Sequence, residues 1–378
     1  KITPDCVGDT VTFSLSRPRN LSVEVNGDIF HNLHLFANPI DKFRPSDKEI
    51  QRALKKKKGS NLIYFGPGVH NLPNDTLFVP SGTTVYIDGG ARVYGNIFTE
   101  GAHDVNIFGR GEVHPDGRGA GVWVRRSKNV RIDGIVVSQL PIGQCDSVEL
   151  TNVKSISYYG WGDGMDVFSS SNVILDGVFC RNSDDCAAVY ASTQGFKGGS
   201  NNVLVKNATL WADVAHPINI GGHGDPNGMD TVQNVTFRNI DILDQAEKQI
   251  DYQGCLAINP GDNTLVRNIT FENIRIEDFR NGQLVNFRIS FNPKYCVSTG
   301  RGIQNVLVKD VTYNGSGENL SIIAGYDENH KISGIRFVNL VVNGRKITDD
   351  MPGKPKWYKT GDMAGIFVGE HVENLSFE

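Results

Sequence analysis

Short runs of alternating apolar and polar residues recur along the chain. Each run opens with Asn, followed by an aliphatic residue, a variable residue and a second aliphatic or aromatic residue. The clearest examples are residues 129–132, 172–175, 202–205, 234–237, 268–271 and 305–308. Alternation with a period of two places the apolar side chains on one face of an extended segment. The pattern therefore predicts short strands that each bury one face.

The spacing of these runs indicates a repeat. They begin 43, 30, 32, 34 and 37 residues apart, and the first interval is close to two coils of about 21 or 22 residues, with residues 146–150 in the coil between. A constant motif with variable spacing is typical of a solenoid whose coils keep their strands while their loops grow. We predict an all-β fold, a right-handed parallel β-helix.

The N-terminal segment lacks this register. Residues 21–25 and 29–35 alternate as ordinary strands, which predicts a small antiparallel β unit packed on the N-terminal end of the solenoid, where an open coil would expose unpaired backbone. A short helix is expected around residues 47–58, before first coils at 79–91. The predicted domains are an N-terminal β unit, 1–45, and a parallel β-helix catalytic domain, 46–378.

Charge and hydropathy limit the possible partners. The 378 residues include 38 basic and 42 acidic ones, with a formal net charge of -4, so no strongly basic surface is expected and nucleic acid is excluded as a partner. The sequence has no run of eighteen apolar residues, so we expect no membrane insertion. We expect a monomer that needs no cofactor.

The cysteines and the first residue bear on the compartment. The six cysteines are scattered without metal-ligand spacing, so most are expected to be buried thiols, and Cys180 and Cys186 are the expected pair if any disulfide exists. The chain begins at Lys1 rather than Met, which is typical of a mature exported form. We expect a secreted or periplasmic protein.

An acidic cluster provides the candidate chemistry. Asp163 lies in the run Gly-Asp-Gly-Met-Asp, and Asp184 and Asp185 follow about one coil later. Neighbouring coils are about 4.8 Å apart, so Asp163 is expected above Asp184, with Asp185 beside them. Crowded carboxylates raise at least one pKa, so that one group holds a proton while another stays ionised, as glycoside hydrolysis requires. A polar ladder or a calcium site is the alternative, and Asp166 is interpreted as a support for the turn.

An ordered set of motifs resembles a known enzyme group. The motifs are Asp163-Gly164-Met165-Asp166, Asp184-Asp185-Cys186, Gly222-His223-Gly224 and Arg288-Ile289. In this order they resemble the active-site motifs of the polygalacturonase-type glycoside hydrolases, family 28. The segments 202–211 and 284–289 are also similar to the dextranase and isopullulanase group, family 49. Both groups imply a β-helix and an inverting mechanism.

The resemblance implies roles for the matching residues. Asp184 would be the general acid, and Asp163 and Asp185 would activate the water that attacks the anomeric carbon. His223 would lie close to the acid, and Arg288 would contact the sugar. The implied site contains no metal.

Residues around the motifs bear on the substrate. Trp161, Tyr190 and Tyr252 are candidates for substrate binding by stacking on sugar rings, although each could instead pack in the fold. Ser290 stands where the family motif Arg-Ile-Lys has a lysine that pairs with a uronate carboxylate. A neutral glycan, or a uronate recognised in another way, is therefore compatible with the sequence.

We therefore predict an inverting glycoside hydrolase whose partner is a polysaccharide or oligosaccharide substrate. Two alternatives remain at this point. One is a polysaccharide lyase, which would use calcium and a basic residue beside the acidic cluster; the sequence shows no such lysine or arginine there. The other is a non-catalytic glycan-binding β-helix.

Overall fold

The computed structural model describes residues 2–55, 59–316 and 319–378 and contains two compact units. The first unit ends at Phe43 and contains two antiparallel hairpins. Their strands are β1 Asp5–Val7, β2 Thr10–Thr12, β3 Arg19–Val23 and β4 Leu33–Ala37. Leu21 pairs with Leu35, as the alternation in both segments leads one to expect.

The second unit begins at Arg44 and opens with helix α1, Asp47–Leu54. Ser46 caps this helix: its side chain accepts from the backbone N–H of Glu49, and the Glu49 carboxylate accepts from the Ser46 N–H at 2.8 Å. This reciprocal pair is a capping box and fixes where the helix starts. The predicted helix extended to residue 58, but residues 56–58 lie outside the described part of the chain.

Twenty-nine strands of the described residues form one sheet that winds through the second unit. Its strands are β5 Leu62–Phe65, β6 Gly68–Phe78, β7 Thr84–Ile87, β8 Ala91–Glu100, β9 His103–Gly109, β10 Glu112–His114, β11 Val122–Arg125, β12 Lys128–Asp133, β13 Val136–Val137, β14 Ile142–Gly143, β15 Asp146–Thr151, β16 Lys154–Ile156, β17 Met165–Phe168, β18 Ser171–Asp176, β19 Phe179–Asn182, β20 Ala187–Tyr190, β21 Ser200–Lys206, β22 Thr209–Ala212, β23 Ile218–Ile220, β24 Thr231–Gln245, β25 Leu256–Ile258, β26 Leu265–Ile276, β27 Val285–Arg288, β28 Gly302–Tyr313, β29 Ser321–Ala324, β30 Ile332–Val342, β31 Arg345–Ile347, β32 Ile366–Val368 and β33 Val372–Phe377. Short 3₁₀ turns occur at Ile250–Tyr252 and Thr360–Met363.

The pairing is that of a parallel β-helix, as predicted. Each strand pairs with the equivalent strand of the next coil, and the one antiparallel pair of this sheet in the described residues is β30 with β31. The first paired coil begins at Leu62, one coil before the segment predicted from the sequence. One column of the core consists of Val105, Val130, Val148, Val173, Val203, Val235, Ile269, Val306 and Ile335. Val148 confirms that an extra coil lies between the first two sequence runs.

The recurring Asn has a structural cause. Asn172, Asn202, Asn234 and Asn268 all have φ between 55° and 57°, a left-handed conformation that Asn tolerates better than most residues. Their side-chain amides also bond from coil to coil: the Asn202 Nδ2 donates to the Asn172 Oδ1 at 2.7 Å, and the Asn268 Nδ2 to the Asn234 Oδ1 at 3.2 Å. The Asn therefore sets the bend and stabilises the stacking of the coils.

The state of the cysteines agrees with the sequence prediction of buried thiols. All six cysteines, each of them described, are free, and five of them are buried. Cys180 and Cys186 are separate thiols in the core rather than a disulfide. No helix among the described residues has the length and apolar character needed to cross a bilayer.

Candidate active site

Three successive coils bring the candidate catalytic groups together. Met165 of β17 pairs with Ala187 of β20, which pairs with Ile218 of β23. Because the register is parallel, residues two positions before these three lie at the same level in their coils. Those residues are Asp163, Asp185 and His216. One oxygen from each of the carboxylates at 163, 184 and 185 lies within 4.8 Å of the others.

The predicted cluster is confirmed, but its register differs by one residue. Asp163 was expected directly above Asp184, whereas the Gly164 N–H bonds to the Asp185 carbonyl at 2.8 Å and continues a 22-residue register that places Asp163 level with Asp185. Gly164 permits this approach, because a β-carbon there would collide with the carbonyl oxygen of Cys186. Asp184 consequently lies beside the column rather than in it.

Asp185 is held by four donors. Its Oδ1 accepts from the His216 backbone N–H at 3.1 Å and lies 2.7 Å from His216 Nδ1. Its Oδ2 accepts from the Tyr190 hydroxyl at 2.5 Å and from the Asn219 Nδ2 at 2.8 Å. Burial would raise the pKa of this carboxyl, but the charge and hydrogen bond of His216, with the bonds from Tyr190 and Asn219, leave its pKa below the ordinary value. Asp185 is therefore held as an anion.

The other two carboxyls are shifted in the opposite direction. Burial, and then the nearby Asp185 charge, raises the pKa of Asp184 to about 7. Burial, followed by the charges of Asp184 and Asp185, also raises the pKa of Asp163 well above its ordinary value. Asp163 and Asp184 can therefore retain a proton near neutral pH while Asp185 remains ionised.

Asp166, interpreted from the sequence as a support for the turn, directly follows that turn in the chain. It lies within β17, it is buried, and it lines the same cavity. Burial raises its pKa well above the ordinary value, and its Oδ1 has no hydrogen-bond partner in the described part of the chain. Its position in the strand follows from the pairing of Met165 with Ala187, which places Asp166 level with Ala188.

The two histidines have different positions. His223 was expected near the acid; it lines the cavity, but its ring packs edge-on against Tyr190, with centroids 5.1 Å apart, and burial lowers its pKa. His216, which the sequence analysis missed, is the histidine bonded to a carboxylate of the cluster, that of Asp185. The missed signal is its position two residues before a strand, the same position that Asp185 occupies one coil earlier.

The cluster opens into a cavity of about 400 Å³. Every site residue predicted from the sequence lines it: Asp163, Asp184, Asp185, His223, Arg288, Trp161, Tyr190 and Tyr252.

The three predicted sugar-stacking aromatics differ in exposure. Trp161 is 72% exposed, and Tyr252 is half-buried, with its hydroxyl 2.6 Å from the Asn292 Nδ2. Tyr190 is only 6% exposed; its ring stacks on Phe168 at 5.9 Å and its hydroxyl serves Asp185. The burial of Tyr190 therefore assigns it to positioning a carboxylate, whereas Trp161 and Tyr252 remain candidates for stacking.

Arg288 is already paired. Its guanidinium lies 2.8 Å from the Asp251 carboxylate, and of the described residues that line the cavity it is the only lysine or arginine. Ser290 also lines the cavity. The cavity therefore has an excess of carboxylates over free cationic side chains.

The same carboxylates have the geometry for a metal ion, since Asp163, Asp184 and Asp185 can each direct one oxygen to a common point. Calcium prefers six to eight oxygen ligands. The four donors on Asp185 compete with a cation for its lone pairs. This donor set fits an anion held by hydrogen bonds better than it fits a metal ligand.

Comparison with known proteins gives a family match. The model of the glycosyl hydrolases family 28 matches residues 121–351, more than half of the chain. A polygalacturonase from Juniperus ashei is 26% identical over 295 residues, covering 69% of this chain and 54% of the relative. The chain spans about half the length of curated relatives that it matches.

Solved structures share the fold. The family 28 exopolygalacturonase of Yersinia enterocolitica superposes with a TM-score of 0.63 at 14% identity, covering 91% of this chain and 79% of that one. Dex49A from Penicillium minioluteum gives a TM-score of 0.54 at 15% identity, covering 76% of this chain and 56% of that one. Both resemblances noted in the sequence therefore have structural counterparts.

Proposed function

The chain belongs to the glycosyl hydrolases family 28, and from that premise we propose that it is an inverting glycoside hydrolase that cleaves a polysaccharide or oligosaccharide. One observation carries the proposal. A single open cavity holds three clustered carboxyls, two with raised pKa values and one with a lowered pKa. Hydrolysis of a glycosidic bond needs this combination of a proton donor and an anion.

Asp184 is the general acid in this proposal. With a pKa of about 7 it carries a proton at mildly acidic pH and can transfer it to the leaving glycosidic oxygen. Asp163 has the same tendency to hold a proton, so the choice of Asp184 rests on the family motif. With the proton on Asp184, Asp163 is the carboxylate that accepts a proton from the attacking water, and Asp185, whose oxygens are already bonded, contributes its negative charge to orienting that water.

Inversion is supported by the bonding of Asp185. A retaining enzyme needs a carboxylate oxygen to attack the sugar, but both Asp185 oxygens are already engaged by two donors each. A water molecule is then the better nucleophile. The spacing of the carboxylates instead favours retention: one oxygen from each of Asp163, Asp184 and Asp185 lies within 4.8 Å of the others, close to the carboxylate separation of about 5–5.5 Å in retaining enzymes. The occupied Asp185 oxygens and the family membership favour inversion.

A neutral sugar at the cleavage point fits the cavity best. Arg288 is neutralised by Asp251, and Ser290 supplies no charge to pair with a uronate. A uronate carboxylate would meet Asp163, Asp184 and Asp185 without a charge-assisted bond in return. Among the described residues that line the cavity, no lysine or arginine is free of an acidic partner, which disfavours a lyase that would remove a proton beside a uronate carboxylate.

A polysaccharide is too large to cross a membrane, so we propose that the protein acts outside the cytoplasm, secreted or periplasmic.

The function is tested by exchanging Asp184 for Asn. The purified protein is screened against dextran, polygalacturonan, methyl-esterified polygalacturonan and rhamnogalacturonan, with release of reducing ends as the readout. On any glycan that the parent cleaves, Asp184→Asn should lose at least about a hundredfold in rate.

A matched control keeps this test specific. Asp75 is exposed and lies outside the cavity, so Asp75→Asn should cleave like the parent. Equal rates for Asp184→Asn and the parent would refute the hydrolase assignment. If the parent cleaves no glycan, and the parent and Asp184→Asn bind a glycan equally well, the protein is a non-catalytic glycan-binding protein instead.

A further inference from the structure

Three aromatic side chains lie in register on three successive coils, away from the cavity. Phe78 of β6 pairs with Phe98 of β8, and Phe98 pairs with Trp123 of β11. The Phe78 and Phe98 rings stack with centroids 5.4 Å apart. Phe78 is 63% exposed, and Phe98 and Trp123 are half-buried. We call these three residues the aromatic stripe.

The stripe lies on the outer face of its sheet. Ile97 and Thr99, on either side of Phe98, are fully buried, as are Val122 and Val124 on either side of Trp123. Successive side chains of a strand point to opposite faces, so the stripe residues point away from the core.

The same row of strands continues into the cavity. Val124 pairs with Ile142, and Ile142 pairs with Val167. The residues one position earlier, Trp123, Pro141 and Asp166, therefore lie in register on successive coils. Two coils separate Trp123 from Asp166, about 10 Å along the axis. Trp123 also packs against the cluster of Phe168, Ala188, Tyr190 and Phe196, whose Phe168 and Tyr190 line the cavity.

Charged groups border the stripe. The Arg125 guanidinium carbon lies 5.6 Å from the centroid of Phe98 and 5.7 Å from that of Trp123. Arg125 and Arg126 both pair with Glu100, at 2.9 and 3.1 Å. A sugar ring has an apolar C–H face and a hydroxyl-bearing edge, so the exposed parts of these rings can contact its C–H groups while the bordering charged groups bond its hydroxyls.

We propose that the aromatic stripe binds the part of the glycan chain that extends beyond the cavity, with about one sugar unit over each coil. Coils about 4.8 Å apart match the length that one pyranose unit adds to a glycan. The stripe lies two to four coils from Asp166, so it contacts sugars two to four units from the cleaved bond. The identity of the ligand as a glycan rests on the proposed function.

Binding is tested separately from cleavage. Phe78→Ala and Phe98→Ala are made in the Asp184→Asn background, and retardation is measured by electrophoresis in gels containing dextran, polygalacturonan or methyl-esterified polygalacturonan. The control is Trp357→Ala, because Trp357 is 83% exposed and lies off the stripe. Each stripe variant should weaken the affinity for the retarding glycan about three- to tenfold, and the control should leave it unchanged.

Kinetics distinguish the two ways of failing. With the active protein, Phe78→Ala should lower kcat/KM about three- to tenfold on polymer and leave short oligosaccharides of two or three units unaffected. Hydrolysis with equal losses on long and short substrates would overturn the stripe while leaving the hydrolase assignment intact. If the glycan retards the protein in a way that depends on the stripe but no glycan is hydrolysed, the stripe proposal stands and the hydrolase assignment is wrong. If no glycan retards the protein, the stripe proposal is wrong.

Discussion

The His216 Nδ1 lies 2.7 Å from the Asp185 Oδ1, and both side chains are buried. The two residues occupy equivalent positions in successive coils, two residues before Ile218 and Ala187, so the stacking of the solenoid brings them into contact. His216 and the other donors keep Asp185 ionised in an acidic cluster. This pair determines which carboxyl stays charged.

His216 is therefore predicted to be a positioning residue. His216→Ala removes the side-chain donor and should raise the pKa of Asp185, so that the acidic limb of the kcat profile moves to higher pH and kcat falls about tenfold or more. His216→Asn can place its Nδ2 near the former Nδ1 and should restore much of the rate. A pH profile that is identical in all three proteins would contradict this role, even if the variants are less stable.

The alkaline side of the pH profile is predicted from Asp184. As the general acid it must be protonated, and its pKa is raised to about 7. The rate should therefore be highest below pH 7 and should fall as the pH rises through that value. Rates measured from pH 4 to 9 on one glycan test this expectation, and an undiminished rate at pH 9 would show that Asp184 is not the proton donor.

Asp184 should also destabilise the fold at alkaline pH. Its folded pKa of about 7 exceeds the ordinary aspartate pKa of 3.8, so the stability gained from binding the proton is complete below about pH 4 and is lost as the pH rises through 7. Asn does not titrate, so Asp184→Asn should gain about 4 kcal/mol relative to the parent between pH 4 and pH 8. Urea denaturation at both pH values measures this, and a difference independent of pH would exclude the raised pKa.

The charge of the substrate gives another prediction. Arg288 is paired with Asp251 and Ser290 is neutral, so methyl-esterified polygalacturonan or a neutral glycan should be cleaved faster than polygalacturonan. Initial rates at equal mass concentration provide the comparison. Faster cleavage of the unesterified polymer would indicate a uronate-binding cation; Lys294, whose Nζ lies 4.8 Å from the centroid of the Tyr295 ring, would be the first to examine.

The fold was largely predictable because the Asn positions have two local causes. A left-handed backbone and a coil-to-coil amide ladder both favour Asn, so the motif persists when loop lengths change. Asp163 and Asp185 were found because the coil that separates them has few insertions, so its length is close to the spacing assumed from the sequence. His216 was missed because the coil before it is longer, and a fixed spacing of about 21 residues does not reach it.

Side-chain partners were less predictable than strand positions. Tyr190 is an aromatic residue next to an acidic motif, and the sequence alone does not show whether its ring faces a sugar or its hydroxyl faces a carboxylate. Burial decides this, since Phe168 stacks on the Tyr190 ring. Asp166 was interpreted as a support for the turn and Arg288 as a sugar contact, but the environments of both depend on contacts between coils.

The most direct measurement is proton NMR of the reaction during the first minutes after the enzyme is mixed with a glycan that it cleaves. The account predicts that the new reducing end first appears in the anomeric form opposite to that of the cleaved bond, before mutarotation, because water attacks in a cavity where both Asp185 oxygens are occupied. An initial product that keeps the original configuration, or one that carries an unsaturated sugar, would contradict it.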